Sequence, residues 1–422
     1  MSFLPHSGTA STALKTTLLI FLFFIFSGIF LYSYFTTTLP SYEKIPPMDG
    51  NQYLKIWSYF KNGGEYKIDF PFNGRVLFIW IASLLPDALD AFQSFISLNY
   101  FFGLATLYLL FFVWNKLAFP VYQCFFLLVY LCLHWSGIIR QYMIDPVGVD
   151  IPYLFCLSIF MYLVLVQKYK YLFLIVLLGV ATKEALLPFV LLLLLIKIIQ
   201  KKLIFFEGKK IHVDLKQIDA DIKYIVLALL AGIACKFLIE LYYPPLQTGR
   251  YKSSLVMVVY YGYLVLKDPT HIPDWITGII LFFGPLLYPF LKDFPKQLIP
   301  HGVKEELFLF ALLGILLAIL GGGDHTRIAF LSFPFFFTYV LFQWKNDMRP
   351  FHWIIYTLSM LYLTKCWLYM PTPTVSWEIF SCWYPEYSSF ILFIPELAVG
   401  ICSIIILYFY DKTRRKKEAL IL

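Results

Sequence analysis

Thr16–Phe35 reads TTLLIFLFFIFSGIFLYSYF, a run without one charge and about as long as the roughly 20 residues a helix needs to cross the hydrocarbon core of a bilayer. It follows a short polar start and carries no small-residue cleavage site, so it reads as a retained signal anchor with the N-terminus in the cytoplasm. Outward from it, apolar segments recur near 91–114, 119–139, 149–166, 171–182, 185–199, 222–241, 275–291, 305–320, 328–344, 352–369 and 389–410. The expectation is a bundle of about 11–13 transmembrane helices. Composition points the same way: 60% apolar and only 14% charged residues cannot cover the surface of a soluble domain. The fold class is therefore an all-α polytopic membrane protein, with residues 1–422 as a single transmembrane domain.

Threading those segments sorts the charges. Lys116, Lys168, Lys170, the loop 200–221, the stretch 292–304, the turn 345–349 and the basic tail 411–422 fall on one side. Lys/Arg-rich connections mark the cytoplasm, and an even number of spans returns the tail there. The net charge of +8 sits in such connections, which excludes a nucleic-acid partner as its cause. The other side receives the loop 37–90, the turn 140–150, the Lys183-Glu184 turn, the stretch 242–274, the turn 321–327 and the loop 370–388. With them go Asp49, Arg75, Arg140, Asp145, Asp150, Lys183, Glu184, Arg250, Asp324 and Arg327. Segments 171–182 and 185–199 are short, and the charged break Thr182-Lys183-Glu184 between them is of the kind tolerated where a helix lines a protein-walled cavity. The stretch 255–267 reads as re-entrant or interfacial. Of seven cysteines, only Cys382 lies in an outer loop, so no disulfide framework or metal cluster is implied.

The non-cytoplasmic first loop has its own pattern. Pro46-Pro47 stiffens the chain before Asp49-Gly50, and Tyr53, Ile56, Trp57 and Phe60 then recur at helical spacing opposite Lys55 and Lys61. This predicts an amphipathic helix on the membrane surface, ended by Gly63-Gly64. Pro71-Phe72-Asn73-Gly74-Arg75 leads into a second, shorter apolar run to Leu85 at the interface.

Asp49-Gly50-x-x-Tyr53 after the first span, the helix ending in a Gly pair, and Arg75-Val76-Leu77 together resemble the polytopic GT-C class of glycosyltransferases, in particular its bacterial members. Asp145-Pro146, the Thr182-Lys183-Glu184 break and Gly323-Asp324-His325-Thr326-Arg327 are similar to patterns of the same proteins. The resemblance implies a GT-C-like bundle and a polyprenyl or dolichyl phosphate- or diphosphate-linked sugar donor. It further implies a glycan, lipid or protein acceptor, transfer at the non-cytoplasmic face, and a first-loop acid as catalytic residue. A multi-pass location in a bacterial inner (plasma) membrane follows, with both termini cytoplasmic. Many members carry two acids in the first loop. Here Asp49 is followed by glycine, so no metal ligands are assigned and a divalent cation stays open.

Such a transfer needs a base for the acceptor hydroxyl and cations for the leaving phosphate. Asp49 is the candidate base. Arg75, Arg140, Lys183, Arg250 and Arg327 are candidates for the phosphate, since guanidinium forks match phosphate oxygens; Tyr53, Glu184, Asp324 and His325 complete the candidate set. Each has a plainer alternative. These are a helix cap for Asp49, snorkelling for Arg75, mutual neutralisation for Lys183 and Glu184, a span cap with Arg140 as partner for Asp145, a local pair for Asp324 and Arg327, and an exposed turn histidine for His325. Lys236, Glu240 and Lys365 need no special role. A transporter or flippase of lipid-linked sugars is the alternative function, with charges near the midplane and access from both sides as its signature.

Overall fold

The structure is a computed structural model that describes residues 12–36, 49–207, 210–214, 217–246, 254–269, 271–320, 325–345, 347–366, 368, 382–385 and 388–421. Of the residues singled out above, Arg250 and Asp324 lie outside this set, as does the side chain of His325. The helices are α1 (Thr12–Thr36), α2 (Gly50–Asn62), α3 (Leu77–Ser83), α4 (Ala91–Lys116), α5 (Val121–Leu133), α6 (Arg140–Ile144), α7 (Asp150–Leu165), α8 (Leu172–Thr182), α9 (Leu187–Gln200) and α10 (Ala220–Tyr242). They continue with α11 (Ser254–Lys267), α12 (His271–Phe283), α13 (Leu287–Leu291), α14 (Phe294–Gln297), α15 (Val303–Leu320), α16 (His325–Phe330), α17 (Phe333–Trp344), α18 (Pro350–Thr364) and α19 (Ile394–Ile421). The protein is a helical membrane protein, and five helical segments are long and apolar enough to cross a bilayer: Thr12–Thr36, Ala91–Lys116, Ala220–Tyr242, His271–Leu291 and Phe390–Glu418.

Other expected spans are helices of 11 to 18 residues, and the sequence supplies the reason for their length. The run expected over 328–344 is interrupted between Phe330 and Phe333, and Pro334 opens α17. The run 352–369 ends at Thr364, where Lys365 turns left-handed with φ +48°. In the run 275–291, Gly284 (φ +47°) and Pro285 replace α-helical geometry by a single tight turn. That turn releases carbonyls, and side chains meet them: Tyr130 Oη donates to Phe282 O, and His134 Nε2 lies 3.2 Å from Leu281 O. Because His134 Nδ1 accepts from Ser136 N–H, Nε2 is the nitrogen that donates. Within the loop 200–221 the chain departs from all-α: β1 (Ile204–Glu207) and β2 (Lys210–Val213) pair antiparallel, Ile204 opposite Val213 and Glu207 opposite Lys210.

The core is aromatic. Phe283 stacks on Phe336 with centroids 3.9 Å apart, Phe290 on Phe308 and Phe336, and Phe189 on Phe335. Trp114 Nε1 donates to Thr338 Oγ1 at 2.7 Å, tying α4 to α17. α7 runs through this core with residues from Ile151 to Val164 largely buried, whereas α1, α10 and α19 leave most of their apolar surface uncovered, as lipid-facing helices do. α19 continues through the segment read as a tail. Its Asp411 is buried and accepts from Tyr288 Oη (2.6 Å), Lys292 Nζ (2.8 Å) and His352 Nε2 (3.0 Å).

The first loop folds onto the bundle. The expected amphipathic helix forms as α2 and stops at Gly63 (φ +76°), but Tyr53 and Ile56 pack against Phe78, Ile79, Phe95, Val147 and Val149 rather than facing away from protein. Asn73 Nδ2 donates to Tyr243 O (2.9 Å) and Leu246 N to Ile68 O (2.8 Å), which fastens the loop to the end of α10.

Close helix approach depends on small residues. A Cβ at Gly314 of α15 would lie 2.4 Å from Ser332 Cβ and 3.2 Å from its Cα, whereas one at Gly28 of α1 would meet nothing within 4 Å. Gly314→Ala is therefore expected to destabilise the protein by about 1–3 kcal/mol through overpacking, and Gly28→Ala to change little. Unfolding midpoints of the two variants in detergent would decide it, and equal midpoints would remove the packing argument.

Candidate functional site

Four segments far apart in sequence bring charges to one place. The turn before α2 supplies Asp49, the turn before α7 supplies Asp145 and the first residue of α7 is Asp150, the junction of α8 and α9 supplies Lys183 and Glu184, and α16 supplies Arg327. Arg327 is the hub: Nη2 donates to Asp49 Oδ2 at 2.8 Å, Nε lies 3.5 Å from Asp150 Oδ2, and Nη1 lies 3.7 Å from Asp145 Oδ2. Lys183 Nζ donates to the other oxygen of Asp150 at 2.5 Å. Beside them Arg75 donates from Nη1 to Tyr53 Oη at 2.7 Å and faces Glu184 at 3.4 and 3.5 Å, with its guanidinium over the Phe72 ring.

Local backbone explains the partners. Asp49 accepts through its main-chain oxygen from Gln52 N and Tyr53 N, so the start of α2 is held by backbone and the carboxylate does not cap it. The helix-cap reading of the Asp49 side chain is thereby corrected: it is turned to Arg327. Lys183 is extended (φ −159°, ψ 124°) and Glu184 begins a tight turn, so the neighbouring side chains diverge. They do not neutralise one another. Lys183 goes to Asp150 and Glu184 to Arg75. The turn carrying Asp145 is pinned from α4, where Asn99 Nδ2 donates to Pro146 O at 2.8 Å.

Arg140 is elsewhere. Its guanidinium donates to Thr364 O, Lys365 O and Leu368 O, closing the C-terminal end of α18, and the Asp145–Arg140 pairing gives way to Asp145–Arg327. Arg75 is buried rather than snorkelling. Burial works against its charge, but Tyr53, Glu184 and Asp49 outweigh that and hold the guanidinium above its ordinary pKa. Burial likewise pushes the Tyr53 phenol up, so it stays neutral at physiological pH.

Two features separate Asp49 from its neighbours. Its side chain is 23% exposed, against 8% for Asp145, 7% for Asp150 and 11% for Glu184. Its recorded bond uses one oxygen, Oδ2, and comes from a residue itself shared among carboxylates. The four carboxylates also outnumber Arg75, Lys183 and Arg327 by one. Among the described residues no three His, Cys, Asp or Glu side chains gather as metal ligands. The described carboxylates here are turned to cations, and none of them is assigned as a metal ligand.

Sequence reasoning gave Lys236 no special role. It lies in the apolar face of α10, six residues before the helix end, with no motif around it. The structure sets its Nζ 5.4 Å from the Phe70 ring centroid and 2.9 Å from where a Gly74 Cβ would stand, next to Arg75.

Removing one partner from a buried pair leaves the other uncompensated, which costs about 3–5 kcal/mol. Lys183→Met is expected to lower stability by roughly that amount, while Lys183→Met combined with Asp150→Asn restores the charge balance and recovers more than half of it. Thermal unfolding of the single and double variants reads this directly; a double variant no better than Lys183→Met would argue that Asp150 does not depend on Lys183. Comparison with protein-family models, curated proteins and solved structures finds no match for this chain.

Proposed function

We propose that the protein is an integral-membrane glycosyltransferase with a GT-C-like bundle. It takes a sugar from a polyprenyl or dolichyl phosphate carrier and transfers it to an acceptor at the non-cytoplasmic face. The observation that carries this reading is the Asp49 carboxylate, the most open of four at a buried charge cluster, oriented through one oxygen by Arg327. A base must be held and yet reachable, and this arrangement provides both.

The chemistry follows from the residues. The acceptor hydroxyl gives its proton to Asp49 as its oxygen forms a bond to the anomeric carbon. The bond from that carbon to the phosphate oxygen breaks, and the electron pair leaves with the phosphate. Preorganised cations stabilise that departing charge without having to reorient at the moment of reaction. Arg327 keeps Asp49 in place, and Asp150 with Lys183 keeps Arg327 in place. The uncovered apolar surface of α1, α10 and α19 suits a long lipid chain alongside the site.

Transport of the same lipids is less well supported. The site occupies one end of α7, α8 and α16, about 24 Å from the far end of a 16-residue helix such as α7. At that far end Lys197 and Glu306 are buried on one another at 2.5 Å, with Gln200 donating to the same carboxylate. A path through the bundle would have to break that pair.

Asp49→Asn keeps shape and hydrogen bonding while removing the base. It is expected to lower transfer by about a hundredfold or more with an unfolding midpoint near that of the wild type. The measurement is release of polyprenyl phosphate from a mixed pool of polyprenyl-phosphate sugars in membranes containing the protein. Undiminished release would take Asp49 out of the mechanism.

A further inference from the structure

The cations of the cluster are not held equally. Lys183 is on Asp150 at 2.5 Å, and Arg327 is shared by three carboxylates, the nearest at 2.8 Å. Arg75 meets Glu184 only at 3.4 and 3.5 Å, long for a charge-assisted pair, which ordinarily closes to about 2.7–2.9 Å. Lys236 is held by one ion pair that makes no hydrogen bond. Its Nζ is enclosed and lies 3.0 Å from Glu240 Oε1, yet the angle is wrong for a hydrogen bond, and no described residue accepts from it. An enclosed ammonium whose neighbouring carboxylate makes no hydrogen bond with it keeps donor capacity for another acceptor.

Its surroundings say what kind of acceptor. Lys236 acts electrostatically on Glu184, the residue that faces Arg75, so these two cations flank one carboxylate. Gly74 lets the ammonium come close to the loop that carries Arg75, since a Cβ there would stand 2.9 Å from Nζ. On the same helix Ile233, Phe237, Leu238 and Leu241 are exposed, while the Lys236 side chain is only 14% exposed and covered by the first loop. The ammonium is thus turned into the protein beside a bare apolar flank, the opposite of a lysine reaching for headgroups.

We infer that Arg75 and Lys236 together receive the phosphate of a lipid-linked ligand entering past the apolar flank of α10, and that Lys183 and Arg327 serve to position Asp49. This rests on the glycosyl-transfer reading above and divides its cations into two jobs. The phosphate oxygens supply a hydrogen-bond acceptor for Lys236 and a closer anionic partner for Arg75 than Glu184 gives.

The test is binding, independent of turnover. Full-length protein in phosphatidylcholine nanodiscs is titrated with farnesyl phosphate, farnesol and inorganic phosphate. Wild type is expected to bind farnesyl phosphate at least tenfold more tightly than either farnesol or inorganic phosphate. Lys236→Gln is expected to lose about tenfold or more of that affinity, and Lys236→Arg to retain most of it. Lys223→Gln, at the other end of α10 and exposed, should bind as wild type, and unfolding midpoints check that each variant is folded. Unchanged affinity in Lys236→Gln, with wild type binding well, overturns this inference and leaves the proposed function standing. Inorganic phosphate binding as tightly as farnesyl phosphate overturns the lipid-borne ligand. Equal displacement by phosphatidylglycerol makes a bilayer headgroup the occupant and overturns the substrate role. Failure of wild type to bind farnesyl phosphate at all overturns the donor class itself.

Discussion

The contact of Arg327 with Asp49, Asp145 and Asp150 is the constraint around which this end of the molecule is arranged. Charges inside an apolar bundle persist only if they are paired, and the pairings here join segments far apart in sequence. Asp49 is 278 positions from Arg327, and Arg75 is 109 from Glu184. The first loop must therefore fold inward, the turn at 145–150 must face α16, and the chain must break between α8 and α9. The break does more than end a helix. In continuous helix, Lys183 and Glu184 would point about 100° apart on one cylinder; the extended Lys183 sends them to separate partners on α7 and the first loop.

Much of this was legible because lipid leaves charges few places to go. Apolar runs located the helices, the Gly63-Gly64 pair located the end of α2, and the gathering of charges at one set of span ends foreshadowed the cluster. What sequence could not give was which charge meets which. The acid before α2 fits a capping pattern as well as it fits Arg327, and only the turn geometry, with backbone carbonyl already holding the helix start, decides against the cap. Arg140 looked like a neighbour of Asp145 by proximity in sequence, yet carbonyls at the end of α18 take it. Lys236 was given no role because a lone charge near the end of a long apolar run reads as a helix-end residue, and Asp411 was absorbed into the basic tail; the burial of each is a tertiary fact. The hairpin of β1 and β2 left a faint signal, two short apolar runs around Gly208-Lys209, in a loop whose lysines drew the eye to topology instead.

Both ends of the bundle carry buried ion pairs, and comparing them separates structural charges from the candidate site. At the far end, Lys197, Gln200 and Glu306 close on one another at 2.5 to 2.9 Å, and Asp411 takes three donors between 2.6 and 3.0 Å. Those groups are saturated, and they lock α9 to α15 and α19 to α13 and α18. A saturated network of this kind adds specificity to packing and offers nothing to a ligand.

At the candidate site the pattern is mixed. Two of its contacts, Lys183 on Asp150 at 2.5 Å and Arg327 on Asp49 at 2.8 Å, are as tight as the far-end pairs, and the second holds the one carboxylate that remains open. Two others, Arg75 with Glu184 and Lys236 with Glu240, are drawn together without closing. A protein selected only for stability would shorten those contacts or replace the groups by apolar ones of similar size, since a buried pair that is poorly made costs more to desolvate than it returns. Short contacts that orient a reachable carboxylate, beside cations with hydrogen-bonding capacity left over, are what a site for an incoming anion requires: rigidity where the proton is taken, and unspent capacity where the leaving charge will form.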